Sequence, residues 1–317
     1  MAGIINGVWK DSYVINPEDA DPIRNWITVD GSPGPTGRGG FPAEDGRYHL
    51  YLAHGCPFCH GVSIARRYLE METLISVSYV DDVKRHEGWR ISEGADPIFN
   101  AGSLHDMMIC AEGKLTSKSA VPQLIDRKTK RLVSDSSSDM VRMMDQLGVA
   151  DVGALGSLWP ADQEEEILEL SEWIKSTISG GVYRTLFAQT SEDTQHHRQS
   201  VKDAFARIDG RLNKSRFLHG DTITASDVWL FPTLIRFDSI YSELFGLEFK
   251  LDAFDNLGTY LRDLWSVEAF SATSILKRIE DHYYLSFIHG PHGPIEPGLG
   301  KSADAASRYD LSGPNDR

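Results

Sequence analysis

The residues with the most evident chemistry lie in the run His54-Gly55-Cys56-Pro57-Phe58-Cys59-His60. An alternating apolar stretch, residues 48–53, precedes it, and an apolar run at helical spacing, 62–69, follows it. Strand, Cys-Pro, then helix puts the Cys56 sulfur at a helix N-terminus. The unpaired N–H groups and the dipole there favour a thiolate over a thiol. Pro57 suits the first helical turn, where its missing N–H costs nothing. Cys56 is therefore the candidate nucleophile. Cys59 completes a Cys-x-x-Cys pair. It is either a thiol able to resolve a mixed disulfide on Cys56 or a thiol packed in the core. Cys110 has no motif around it and reads as inert.

Zinc is disfavoured for Cys56, Cys59 and His60, because structural zinc takes four ligands and no second pair follows at suitable spacing. No metal is expected. His196-His197 falls in a polar helical stretch and reads as solvated. With three cysteines in 317 residues, a disulfide framework is excluded and a reducing cytoplasm is the expected compartment. The formal charge of −14, from 46 acids against 32 bases, argues against a nucleic-acid partner. No apolar run approaches the roughly 20 residues of a membrane helix, and the N-terminus lacks a signal-peptide pattern.

The elements that would position Cys56 follow from periodicity. Residues 48–53 read as a strand, 57–69 as a helix, 75–80 as a strand, 121–125 and 131–133 as strands, and 136–147 as a helix. This order predicts a thioredoxin-like domain over 46–150. Residues 84–118 are long for the middle of such a domain, which marks a functional or mobile insertion. Residues 1–45, with the Gly/Pro run 31–40, read as an irregular arm and loop. After a linker, 148–160, the pattern is helical. Ile167, Leu170, Trp173, Ile174 and Ile178 share one face, as do Val201, Phe205, Ile208 and Leu212. Thr224-Ala225-Ser226-Asp227 reads as a structural capping box. The expected fold is α+β: a thioredoxin-like domain, an all-α domain over 161–287, and a tail over 288–317.

That layout is the one found in glutathione transferases. Phe41-Pro42-Ala43-Glu44, Gly46-Arg47-Tyr48-His49-Leu50-Tyr51, Cys56-Pro57, Gly88-Trp89, Val121-Pro122, Gly181-Val182-Tyr183, the run 230–238, Tyr260-Leu261-Arg262-Asp263-Leu264 and His282-Tyr283-Tyr284 resemble glutathionyl-hydroquinone reductases. These are the Xi-class glutathione transferases, and the resemblance runs in order from about residue 26 to about residue 290. It implies a reductase. Cys56 would attack the sulfur of a glutathionyl-hydroquinone, hydroquinone would leave, and a second glutathione would free the enzyme. Tyr183 and Tyr284 would act in catalysis, and Tyr241 and Tyr283 would line the quinone pocket, with Tyr283 and Tyr284 interchangeable at this stage. The thiol track would comprise Phe58, Trp89, Lys118, the Val121-Pro122 step with a cis bond, and the helix start at Ser136-Ser137. A homodimer is also implied.

Several positions depart from the family pattern. Ser136 stands where the family has Glu, Phe58 where it has Trp, Cys59 where it has a small residue such as Ala, and Gly61 where it has Arg. Lys118 stands near the family's Arg, and Lys is the less directional carboxylate partner. An uncharged residue at 136 cannot pair with the ammonium group of glutathione. The co-substrate is thus glutathione or another low-molecular-weight thiol such as mycothiol. Two other functions stay open: a glutaredoxin-like dithiol reductase using Cys56 and Cys59, and a non-catalytic binding scaffold.

Overall fold

A computed structural model describes residues 3–11, 15–21, 23–150, 156–286, 289–290 and 293–294. The chain divides into two compact units, Met1–Gly156 and Ser157–Arg317.

The first unit is built on a four-stranded sheet of order β6-β5-β7-β8, made of β5 (Tyr48–Leu52), β6 (Ile75–Tyr79), β7 (Gln123–Asp126) and β8 (Arg131–Ser134). β5 and β6 are parallel, joined by α1 (Pro57–Tyr68), while β7 runs antiparallel to both its neighbours. All five residues of β5 are buried. A strand covered on both faces needs no polar alternation. α1 packs on α3 (Ser137–Ala150). α2 (Leu104–Glu112) packs on β8 and contributes Leu104, Met107, Met108 and Ala111 to a core with Tyr51, Ala53, Ile125 and Leu132.

α2 lies inside the stretch expected only as a long insertion. Its buried residues recur at helical spacing, and the Ser103 hydroxyl caps it by accepting the Asp106 N–H at 3.1 Å. Asp96 anchors the remainder of that stretch. Its carboxylate accepts the Tyr51 hydroxyl at 2.5 Å and the N–H groups of Ile98, Phe99 and Ala101. Burial opposes that charge, but these donors hold the Asp96 carboxyl below its ordinary range. The insertion is therefore a tethered part of the unit.

The first 45 residues also differ from the expected irregular arm. β1 (Gly3–Ile5) pairs antiparallel with β2 (Val8–Lys10), and β3 (Trp26–Thr28) pairs parallel with β4 (Gly40–Pro42). Ile4, Ile23, Trp26 and Ile27 are buried. Trp26 explains part of the glycine run. A Cβ on Gly34 would stand 2.1 Å from its indole, so the loop closes over the ring only with glycine there.

The second unit is helical. α4 (Glu164–Trp173) continues through a π-helical turn, Ile174–Ser179, into α5 (Gly180–Phe187), which packs on α6 (Ser191–Leu212). α7 (Ala225–Arg236) is buried along its whole length. Asp227, itself buried, accepts Thr224 N–H and Oγ1–H at 2.8 Å each, Leu218 N–H at 3.0 Å and the Tyr260 hydroxyl at 2.8 Å. The expected capping box is present and ties three segments to one carboxylate. α7 runs into a second π-helical turn, Phe237–Tyr241, then α8 (Ser242–Leu244), α9 (Leu257–Trp265), α10 (Glu268–Ser271) and α11 (Leu276–Ser286). In the expected tail, β9 (His289–Gly290) pairs with β10 (Gly293–Pro294), and residues 295–317 lie outside the described residues.

Candidate active site

Cys56 is the N-cap residue of α1, with extended backbone (φ −73°, ψ 119°) and Pro57 in the first turn. The Cys59 N–H donates to Cys56 Sγ at 3.4 Å. One of the helix's free amides thus aims at the sulfur, the arrangement that stabilises negative charge there. Cys56 is half-buried, Cys59 is 1% exposed, and Cys110 is exposed; none forms a disulfide.

Cys56 Sγ lies 3.9 Å from Val121 O, within reach of a thiol hydrogen bond. The Val121-Pro122 peptide is cis, as the family resemblance implies. β7 itself begins only at Gln123, so Val121 sits outside the strand ladder and beside the sulfur. Trp89 is 5% exposed and belongs to the core cluster on which Cys56 and Val121 pack. Two of the residues expected along a thiol track, Trp89 and Val121, therefore share one core with Cys56.

Lys84 carried no signal in the sequence beyond its place near Gly88-Trp89. Its ammonium stands over the Trp89 ring, 5.5 Å from the centroid. Although the residue is exposed, the protein packed around it pushes the ammonium below its ordinary value, and the charge on Cys56 pushes it back. Lys84 is thus near enough to the nucleophile to feel its charge. Lys118, the basic residue singled out from sequence, is exposed, and Phe58 is half-buried.

Ser136 caps α3: its hydroxyl accepts the Asp139 N–H at 3.3 Å and its carbonyl the Met140 N–H at 2.9 Å. Ser137, half-buried, begins the helix. Asp139 is committed to Arg24, with Oδ2 3.0 Å from Nε. Asp135, next to Ser136, is a second residue that the sequence reading passed over. Its side chain is exposed, and the protein packed around it pushes its carboxyl up, against hydrogen bonding to its own backbone and the charge of Arg24.

In the second unit, Tyr183 on α5, Tyr241 on the second π-helical turn and Tyr283 on α11 meet at their hydroxyls. Tyr283 Oη lies 2.7 Å from Tyr183 Oη and 2.9 Å from Tyr241 Oη. π-helical turns are rare and frequent at functional sites, and one of them carries Tyr241. Burial pushes the Tyr183 and Tyr241 phenols well above their ordinary value, and Tyr283 adds to it for both. They stay protonated, so the cluster is a set of hydrogen-bond donors. Tyr284 lies apart from it and donates to Ser239 O at 2.8 Å. The geometry thus separates Tyr283 from Tyr284, which the sequence left interchangeable. His196 and His197 lie on α6 with their rings 5.5 Å apart. Among the described residues no group of His, Cys, Asp or Glu is arranged to hold a metal ion.

The glutathione S-transferase C-terminal domain family matches residues 189–263. Glutathionyl-hydroquinone reductase YqjG of Escherichia coli (strain K12) is 32% identical, over 98% of this chain and 99% of its own length. Glutathionyl-hydroquinone reductase PcpF of Sphingobium chlorophenolicum is also 32% identical, over 94% of each chain. The glutathione-bound structure of YqjG superposes with a TM-score of 0.86, covering 99% of this chain and 98% of that one. A Xi-class glutathione transferase from Natrialba magadii superposes with a TM-score of 0.84 at 30% identity, covering 93% and 92%. With a cysteine capping α1 beside a cis-proline step and a relative 32% identical over 98% of its length, the chain belongs to the glutathionyl-hydroquinone reductases of the Xi class of glutathione transferases.

Proposed function

We propose that this enzyme reduces glutathionyl-hydroquinones through Cys56, with glutathione as co-substrate. The thiolate attacks the glutathionyl sulfur, a Cys56–glutathione disulfide forms, and the bond from sulfur to the aromatic carbon breaks. That carbon keeps the electron pair and takes up a proton, which gives the hydroquinone. A second glutathione then attacks the mixed disulfide, releasing glutathione disulfide and the Cys56 thiolate. The observation that carries the reading is the N-cap sulfur held by the Cys59 N–H beside Val121.

Trp89, the Val121-Pro122 step, Ser136 and Ser137 are assigned to thiol binding, with Phe58 and Lys118 as flanking contacts. Tyr183, Tyr241 and Tyr283 are assigned to the hydroquinone oxygens, to which protonated phenols donate hydrogen bonds. Tyr284 supports this set from outside it. The enzyme is further assigned to the cytoplasm as a homodimer. The three cysteines without a disulfide suit a reducing compartment, and among the described residues no helix is long and apolar enough to cross a membrane.

The test is steady-state release of menadiol from its glutathionyl conjugate with excess glutathione. Wild type releases it and Cys56→Ala does not. Equal release by both would end the assignment.

A further inference from the structure

We infer that Cys59 is a resolving thiol, so that the mixed disulfide on Cys56 collapses to an internal Cys56–Cys59 disulfide. The inference rests on Cys56 as the thiol nucleophile of the proposed function and adds a second redox-active sulfur to it.

The two residues occupy the N-cap position and the third position of the same helix. An N-cap side chain folds back over the first turn toward the amide three residues on. Here that amide is Cys59's own, 3.4 Å from Cys56 Sγ. Residues three apart share a helix face, and the helix rises only about 1.5 Å per residue. A disulfide needs Cα atoms roughly 4.4–6.8 Å apart, a span that one helical turn supplies. Position 59 therefore puts the second cysteine within one helical turn of the nucleophile.

Burial decides how that sulfur can act. Cys59 is 1% exposed, so dissolved disulfides reach Cys56 first, which is half-buried. Cys59 meets oxidant only through Cys56. In the exchange, Cys59 Sγ attacks Cys56 Sγ and the bond between those two atoms forms. The bond from Cys56 Sγ to the glutathione sulfur breaks. Glutathione departs as a thiolate and takes up the proton that Cys59 gives away. The internal disulfide then needs two glutathione thiols, which reopen it in two exchanges and leave as glutathione disulfide. The net electron flow equals that of the single-cysteine cycle. A high ratio of glutathione disulfide to glutathione would hold the enzyme in the internal-disulfide form, so the pair also makes turnover sensitive to that ratio.

The test uses full-length protein with the exposed Cys110 changed to Ser. The reduced protein is mixed with glutathione disulfide, quenched in acid, and examined by intact mass and peptide mapping. Menadiol release from the glutathionyl conjugate is measured on the same samples. The expected product has lost two hydrogens, with Cys56 linked to Cys59 and no glutathionyl group. With Cys59→Ala added, a glutathionyl group stays on Cys56 and disappears at least about tenfold more slowly. Should Cys59→Ala fail to fold, the Cys110→Ser protein alone decides the matter. A stable glutathionyl adduct there, with Cys59 still alkylatable after unfolding and menadiol release intact, overturns the role of Cys59 only. Absence of both an adduct and menadiol release overturns the role of Cys59 together with the proposed function.

Discussion

Tyr283 Oη lies 2.7 Å from Tyr183 Oη and 2.9 Å from Tyr241 Oη, which makes it the central oxygen of a three-phenol cluster. Tyr283 is fully buried, so its hydroxyl orders the other two. Tyr283→Phe should lower kcat/KM for the quinone conjugate by about 100-fold, the low end of the scale for losing a donor aimed at a reacting oxygen. Tyr284→Phe removes the bond to Ser239 O. It should cost about 1 kcal/mol of stability and change turnover by less than about twofold. Steady-state kinetics of the two variants checks this, and equal losses would contradict the separation.

Lys84 faces Cys56 electrostatically while its ammonium stands over Trp89. A cation beside a sulfur favours the thiolate. Lys84→Met should move the pH midpoint of Cys56 alkylation by iodoacetamide upward by roughly half a unit to one unit. Lys84→Arg should restore most of the shift. An unmoved midpoint in Lys84→Met would remove Lys84 from the site.

The ammonium end of glutathione needs an anion that Ser136 cannot supply. Asp139 is committed to Arg24, whereas Asp135 stands exposed beside the α3 cap. An exposed carboxylate there can pair with a bound ammonium. Asp135→Asn should raise KM for glutathione about 3- to 10-fold with kcat nearly unchanged. Ser136→Glu in that background should recover it. Unchanged KM in Asp135→Asn would leave the ammonium to another group.

Stability should fall on mild acidification. His49, 2% exposed, and His219, 8% exposed, are both pushed down from 6.5 to about 4. Burial is the main cause, with nearby arginines adding to it: Arg127 and Arg66 for His49, Arg211 for His219. The unfolded chain takes protons below pH 6.5 while the folded chain does not. Stability is therefore full above pH 6.5 and declines as pH drops toward 4, by at most on the order of 3 kcal/mol for each histidine. Thermal midpoints at pH 7 and pH 5 check the sign. His49→Gln should flatten its share, and a midpoint that is higher at pH 5 would contradict the reading.

Local signals in the sequence account for much of this architecture. Tyr48–Leu52, Pro57–Tyr68, Ile75–Tyr79 and Arg131–Ser134 follow from periodicity and from Pro57 at a helix start. α2 was also legible in Ser103-x-x-Asp106 and the spacing of Leu104, Met107, Met108 and Ala111, although the polar residues around it read as insertion. The ordered arm was not legible, because Trp26 gains its burial from glycines that locally read as loop. At the site, Cys56, Trp89 and the Val121-Pro122 step carry motif signals. Lys84 and Asp135 do not, since their meaning comes from tertiary neighbours. Tyr283 and Tyr284 are adjacent in sequence, and only the geometry of α11 tells them apart.

The central claim is that Cys56 takes the glutathionyl group from a hydroquinone conjugate. Its most direct test is a single turnover with glutathionyl-menadiol in slight excess and no free glutathione, using full-length Cys59→Ala protein. The account predicts one menadiol released per enzyme and one glutathionyl group mapped to Cys56, both absent in Cys56→Ala. Menadiol release without a sulfur adduct on Cys56, or undiminished release by Cys56→Ala, would contradict it.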